Sequence, residues 1–265
     1  ELLERSVLTN NGKRMTGDSL FYDRNRGIGE AFRNVELVDT INKNMLTGDY
    51  CFYNQLTGYA FATDRAMATD FSQGDSLFIH ADTLQLYTFH VNTDSVYREA
   101  RAYHKVRFYR TDIQGVCDSL VFSSKDSCLT LYQDPILWNG KQQLLGEEIM
   151  VYMNDSTIDW AHIQNQALSV EQLDSLNYNQ VSGKDMKAYF EGGEMKQVDV
   201  DGSVRLVYFP MEKDSTLLGM NCSETSKLSM FLENRKLKKM AMSPKSNTLD
   251  ILSFFCQVSF IFIPQ

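Results

Sequence analysis

Apolar and polar residues alternate one for one in short runs along most of this chain, the period of a β-strand with one buried face. In the first unit, residues 18–23 read as a strand with Leu20 and Tyr22 on one face. Residues 24–29 turn the chain, and residues 30–39 return with Ala31, Val35 and Leu37 on that same face. A second unit repeats the layout: Cys51 and Tyr53 go out, residues 54–58 turn, and Ala62, Ala66 and Ala68 come back. Further apolar pairs follow at Leu77 and Ile79, Val106 and Phe108, Leu120 and Phe122, Leu129 and Leu131, Ile149 and Val151, and Met186 and Ala188. Asn-Arg-Gly, Leu-Thr-Gly and Asn-Gly punctuate the strands. Residues 169–176, with Ser169 as a possible cap and Leu173 and Leu176 at helical spacing, are the best helix candidate, but the run is short, lies between strands and is read as a turn or loop.

The units are related by a loose repeat that opens on glycine: Thr16-Gly17-Asp18-Ser19-Leu20-Phe21-Tyr22, Thr47-Gly48-Asp49-Tyr50-Cys51-Phe52-Tyr53 and Gln73-Gly74-Asp75-Ser76-Leu77-Phe78-Ile79, with echoes at Gly115, Gly146, Gly183 and Gly219. The spacing of roughly 25–40 residues suits stacked supersecondary units, each with room for two strands and two turns. A unit that small cannot bury its own apolar face, so neighbours must share one core. The expected fold class is therefore all-β, and the absence of a Pro/Gly-rich linker or low-complexity stretch points to one continuous domain over residues 1–265. The repeats occupy roughly residues 15–244, and residues 245–265 form an atypical hydrophobic tail.

Composition narrows the function. The formal net charge of −8 disfavours sequence-independent nucleic-acid binding, which needs an excess of Lys and Arg over a broad surface. Five cysteines, Cys51, Cys117, Cys128, Cys222 and Cys256, include no C-x-x-C spacing for zinc or redox work and read as small buried hydrophobes. Cys117 and Cys128 flank a predicted hairpin and are a candidate pair in an oxidising compartment. The N-terminus lacks the basic start and apolar run of a signal peptide, so the chain reads as a mature or trimmed fragment. The apolar stretch Leu249 to Pro264 is too short for a membrane span and suits a strand.

No G-x-S-x-G elbow, phosphate-binding glycine loop, H-E-x-x-H or G-x-G-x-x-G opens a catalytic or cofactor reading, so neither enzyme activity nor a cofactor or metal is expected. His80, His90, His104 and His162 are scattered through different units. Asp18, Asp49, Asp75 and Asp118 recur beside or near the repeat glycines, which suits turn or strand-entry residues bonding their own backbone better than calcium ligands or a catalytic dyad needed only once. Two basic clusters remain: Arg98, Arg101, Lys105, Arg107 and Arg110, and Arg235, Lys236, Lys238 and Lys239. Strand parity turns Arg101, Lys105 and Arg107 away from the core, either as a solvated face or as contacts for anionic sugar or phosphate groups.

The pattern Gly-Asp-x-Leu-x-Tyr, a turn, then Gly-x-Ala-x-x-x-Val-x-Leu over Gly17 to Leu37 resembles the OstA-like (LptA) family of periplasmic lipopolysaccharide-transport proteins. Val106-Arg107-Phe108-Tyr109-Arg110-Thr111-Asp112, Gln114-Gly115-x-Cys117-Asp118-Ser119-Leu120-Val121, Ser124-Lys125-Asp126-Ser127, Asp134-Pro135-x-Leu137-Trp138 and Gly219-Met220-Asn221 look like its large Gram-negative members, and the resemblance runs from about Met15 to Pro244. It implies antiparallel strands stacked into an open, twisted β-jellyroll whose groove holds the acyl chains of lipid A. It also implies a periplasmic bridge between inner- and outer-membrane transport proteins with related jellyrolls, joined head to tail or self-associated through the end strands. On that reading Leu20, Tyr22, Val35, Leu37, Leu77, Ile79, Val106, Phe108, Leu120 and Phe122 line the lipid groove; the alternative for each is a place in a closed core. A right-handed β-helix that binds or cleaves polysaccharide, and a sealed structural β-scaffold, are the competing architectures.

Overall fold

The structure, a computed structural model, describes residues 2–10, 12–72, 74–111, 113–154, 157–192, 194–210, 218–233, 236–243 and 247–248. The apolar stretch from Leu249 to Pro264, together with Cys256 and Arg235, lies outside the described residues. The first eight strands are β1 (Leu2–Asn10), β2 (Lys13–Asp23), β3 (Ile28–Asp39), β4 (Asn44–Asn54), β5 (Tyr59–Asp70), β6 (Leu77–Phe89), β7 (Tyr97–Tyr109) and β8 (Gln114–Ser123). Four short strands follow: β9 (Cys128–Tyr132), β10 (Ile136–Asn139), β11 (Gln142–Leu145) and β12 (Glu148–Asn154). The chain continues through β13 (Thr157–Gln172), β14 (Tyr178–Glu191), β15 (Glu194–Tyr208), β16 (Asn221–Glu233), β17 (Lys236–Ser243) and β18 (Asn247–Thr248).

Each strand pairs antiparallel with the next from β1 to β9, and again from β12 to β17. The four short strands keep the ladder continuous as two broken rungs. β9 and β10 both pair with β8, while β12 and β11 bridge them to β13. Every described pairing is antiparallel, unlike the parallel coils of a right-handed β-helix.

Each rung bends in its middle, so the two halves of the ladder face one another across one apolar core. The bend is written into alternate strands in two ways. In β3, β5, β7 and β13 two successive non-glycine residues take left-handed backbone: Arg33 and Asn34 (φ 55° and 50°), Asp64 and Arg65 (58° and 61°), His104 and Lys105 (61° and 54°), and Asn165 and Gln166 (52° and 53°). Such pairs cost free energy and persist where surrounding pairings hold them. On the facing strands the bend needs a side chain small enough for close approach. A Cβ on Gly48 would lie 2.9 Å from the Thr63 carbonyl oxygen, and one on Gly183 would lie 2.5 Å from Val200 Cγ2's sister methyl, Cγ1.

These glycines therefore sit mid-rung, where the repeat motif had suggested a strand entry. The aspartates beside them are corrected too: Asp18 accepts from Asn34 Nδ2 (3.2 Å), Asp49 from Arg65 Nε and Nη2 (2.9 and 2.6 Å), and Asp118 lies 3.3 Å from His104 Nδ1. Each braces the bend of the neighbouring strand. Turn capping falls to residues at strand ends, such as Asp23, Asp39 and Asn54, whose side chains accept backbone N–H bonds from the turns that follow. Residues 169–172 belong to β13, and the turn begins after Gln172.

Candidate apolar groove

Cross-strand register lines the inner residues into rows running the length of the ladder. One row passes through Leu20, Ala31, Cys51, Ala62, Leu84, Ala102 and Leu120, then Leu131, Ile149, Ile163, Met186, Val200 and Leu228. All thirteen are buried. On the opposite half, Met15, Leu37, Leu46, Ala68, Ile79, Phe108 and Gly115 form the facing row, continued by Leu137 and Leu144. Gly115 is small because the Phe108 ring lies across it: a Cβ there would come within 2.3 Å of Phe108 Cζ.

Between β4 and β8 the two halves leave a cavity of about 230 Å³. Ala60, Leu84, Leu86, Ala100, Ala102 and Leu120 line it from one half, and Leu46, Ala68, Leu77 and Ile79 from the other. The space exists because alanines stand where the register could have placed larger side chains. Asn44 and Asp70 give its edge a polar margin. At the neighbouring rungs Lys13 reaches across the mouth, its Nζ 5.3 Å from the centre of the Tyr53 ring and 3.8 Å from Asp39 Oδ2. Asp39 is buried; burial pushes its carboxyl upward, but hydrogen bonds from Asn42, the charge of Lys13 and the Ile41 N–H outweigh this and hold it below the usual carboxylate range.

Of the residues expected to line a groove, Leu20, Val35, Val106, Phe108 and Leu120 are buried, while Leu37, Leu77 and Ile79 are half-buried and pack against the core. Leu77, Ile79 and Leu120 border the cavity. Phe122 is half-buried in the row nearest the rim, between Ala100 and Leu129. Tyr22 ends that row, is exposed, and donates its hydroxyl to Gln55 Oε1 (3.2 Å). Arg101 borders the cavity; its guanidinium pairs with Glu99 and lies 4.7 Å from the Tyr87 ring centre. Lys105 stands at the bend beside Asp82 (3.5 Å), and Arg107 lies exposed between inward Val106 and Phe108.

Strand parity picks out Ala62, Ala66 and Ala68, of which Ala68 borders the cavity, but the space itself is not evident from it, because Ala60 and Ala100 matter only through the Leu86 they both oppose across strands. Lys13 gave no signal, since its partners are brought to it by the bend. Among the described residues, no group of three or more His, Cys, Asp or Glu is placed to hold a metal. Cys51, Cys117, Cys128 and Cys222 are free; Cys117 faces Val106 and Cys128 faces Ser123, so the candidate pair is not formed. Burial pushes the Cys51 thiol up to about 12, and burial aided by the Asp118 charge does the same at Cys117, which leaves both unreactive near neutral pH.

No protein-family model and no curated protein matches the chain. Among solved structures it is similar to LptH, the LptA homologous periplasmic component of the conserved lipopolysaccharide transport device from Pseudomonas aeruginosa, with a TM-score of 0.37 and 13% identity over 45% of this chain and 81% of that one. A likeness that loose says nothing about activity; the functional reading rests on the groove itself.

Proposed function

We propose that this protein is a periplasmic lipid carrier of the OstA-like kind, a bridge that moves lipopolysaccharide between inner and outer membranes with the acyl chains of lipid A held in the groove. The cavity between β4 and β8 carries this reading, because both halves of the ladder line it and its walls are overwhelmingly aliphatic. Apolar surface is worth about 25 cal/mol per Å² removed from water, so an acyl chain released into an aqueous compartment is costly and one passed along an apolar row is not. The polar margin at Asn44 and Asp70 suits the boundary between chain and headgroup. Related jellyrolls of inner- and outer-membrane transport proteins, or a second copy, would add to the terminal strands β1 and β17 by backbone pairing.

Photo-crosslinking tests the groove. Benzoylphenylalanine at Leu77 and at Leu86, both bordering the cavity, should label lipopolysaccharide, while the same probe at outward Arg107 should not. Equal labelling at all three sites would overturn the proposal.

A further inference from the structure

The outer face of the hollow rungs carries an unusual surface. Ring to ring, Phe32, Tyr50, Phe61 and Phe52 lead to Tyr59 and Tyr87, with successive centroids 4.9 to 6.1 Å apart. From Tyr87 the path continues over Phe89 to Tyr97 at 6.2 and 4.7 Å. Inward neighbours such as Cys51, Ala60 and Ala62 are buried, so these rings belong to the solvent side. The hydroxyl-bearing rings Tyr59, Tyr87 and Tyr97 gather where the strands approach the turns at 55–58 and 90–96. That is the rim whose inner residues, Ala60, Leu86 and Ala100, border the cavity. The aromatic surface is thus continuous, around one strand edge, with the mouth of the groove.

We propose that this strip binds a sugar chain. Pyranose rings present polarised C–H faces to the electron-rich face of an aromatic ring while their hydroxyls need partners alongside, and the strip supplies both. Gln85 accepts from the Tyr87 hydroxyl at 3.0 Å, and the paired Glu99 and Arg101 lie beside the same ring. Glu99 offsets Arg101 there, and Lys125 stands over the far end of the strip with its Nζ 5.6 Å from the centre of the Tyr97 ring, a further donor for sugar hydroxyls. The inference rests on the lipid-carrier reading for the source of the sugar, which would be the glycan of a glycolipid whose chains lie in the groove; binding of the sugar itself stands apart from it.

The experiment uses two probes on the full chain: core oligosaccharide freed of lipid by mild acid, and lipid A bearing no sugar chain beyond its own disaccharide. Wild type should bind both, and Tyr87→Ala with Tyr97→Ala should weaken the oligosaccharide at least tenfold while lipid A binding holds. Wild type that ignores the oligosaccharide, or a double variant that still binds it as well, overturns the sugar site. Failure of wild type to bind lipid A sinks the carrier reading and leaves the sugar site standing. If the double variant loses both probes through misfolding, Tyr87→Leu decides: it keeps the apolar bulk without the π face, and undiminished oligosaccharide binding by it overturns the proposal.

Discussion

The rungs from β2 to β8 and those from β12 to β16 share one register and one bend, yet they are built in opposite senses. In the first group the central inner row is rich in small residues, with Ala31, Cys51, Ala62 and Ala102 set among Leu20, Leu84 and Leu120. In the second, Ile149, Ile163, Met186, Val200 and Leu228 are large throughout. Among the described residues, ten of the twelve largest side chains with under 2% exposure lie at or beyond Leu131. The outer faces differ in extent: the aromatic path runs from β3 to β7, whereas further along a shorter one joins Tyr152 to Trp160 at 4.1 Å and Trp160 to His162 at 6.2 Å, with Thr130 and Lys187 at outward positions beside it. The difference teaches that a repeat fixes the ladder but not its interior: a few alanines in one row turn a solid core into a groove, and the outer ring contacts brace the sheet where inner packing is thin.

The largest expected contrast is in truncation. Ile163→Ala, in the filled half, should cost about 2–5 kcal/mol because its neighbours cannot collapse into the space. Leu86→Ala, bordering a cavity and partly exposed, should cost less than about 1.5 kcal/mol. Urea unfolding monitored by circular dichroism measures both, and equal losses would erase the distinction between the two halves.

The bend, by contrast, should be equally intolerant in both. Gly183→Ala brings a Cβ to 2.5 Å from Val200 Cγ1 and 3.0 Å from the Asp201 carbonyl oxygen, and should cost about 1–3 kcal/mol. Gly48→Ala meets the Thr63 carbonyl oxygen at 2.9 Å and should fall in the same range, whereas a neutral result at either position in the same unfolding assay would mean that the bend relaxes freely.

This bend also marks how far the sequence could be read. Gly17, Gly48, Gly146 and Gly183 were visible as a repeat, and Leu20, Ala31, Val35 and Leu37 carry the spacing that a bent rung requires. Gly74 and Gly115 carry the motif but do not stand at the bend. The corresponding bend positions are Ala81 in β6 and Cys117 in β8, because the site demands a small side chain and not a glycine conformation. The cavity is illegible for a different reason: it depends on which alanine faces which leucine on the next strand, as Ala60 and Ala100 both face Leu86, and on two half-rungs closing over one another. The outer aromatics looked like ordinary strand residues until the register joined them.

Phe61 probes that outer brace. Its ring lies 5.5 Å from those of both Tyr50 and Phe52 and 5.9 Å from Tyr59. Phe61→Ala should destabilise by about 1–2 kcal/mol, combining lost ring contacts with lost area. Thr130→Ala, on the outward face of the filled half, should change stability by no more than about 0.5 kcal/mol. Matching values in thermal melts would show that the rings decorate the sheet without supporting it.

The smallest contrast is in acid. Asp39 and Asp174 both cap turns through backbone N–H groups, at 3.0 and 2.9 Å for Ile41 and Asn42 and 2.8 Å for both Leu176 and Asn177. Hydrogen bonds from Asn177 and the Leu176 N–H lower the Asp174 carboxyl, while at Asp39 the bonds and Lys13 must first overcome burial. A carboxyl lowered on folding stabilises fully above its unfolded value, about 3.9, and loses that contribution as pH falls through the lowered folded value. Protonating buried Asp39 also releases Lys13 at the groove mouth, whereas exposed Asp174 has water as a substitute partner. Between pH 5 and pH 2.5, corrected for intrinsic rates, amide exchange at residues 41–42 should therefore accelerate more than at residues 176–177. Asp39→Asn, which keeps the cap but removes the charge, should flatten the response at 41–42 alone; a parallel rise at both turns in that variant would assign acid sensitivity to the whole ladder instead of to the mouth.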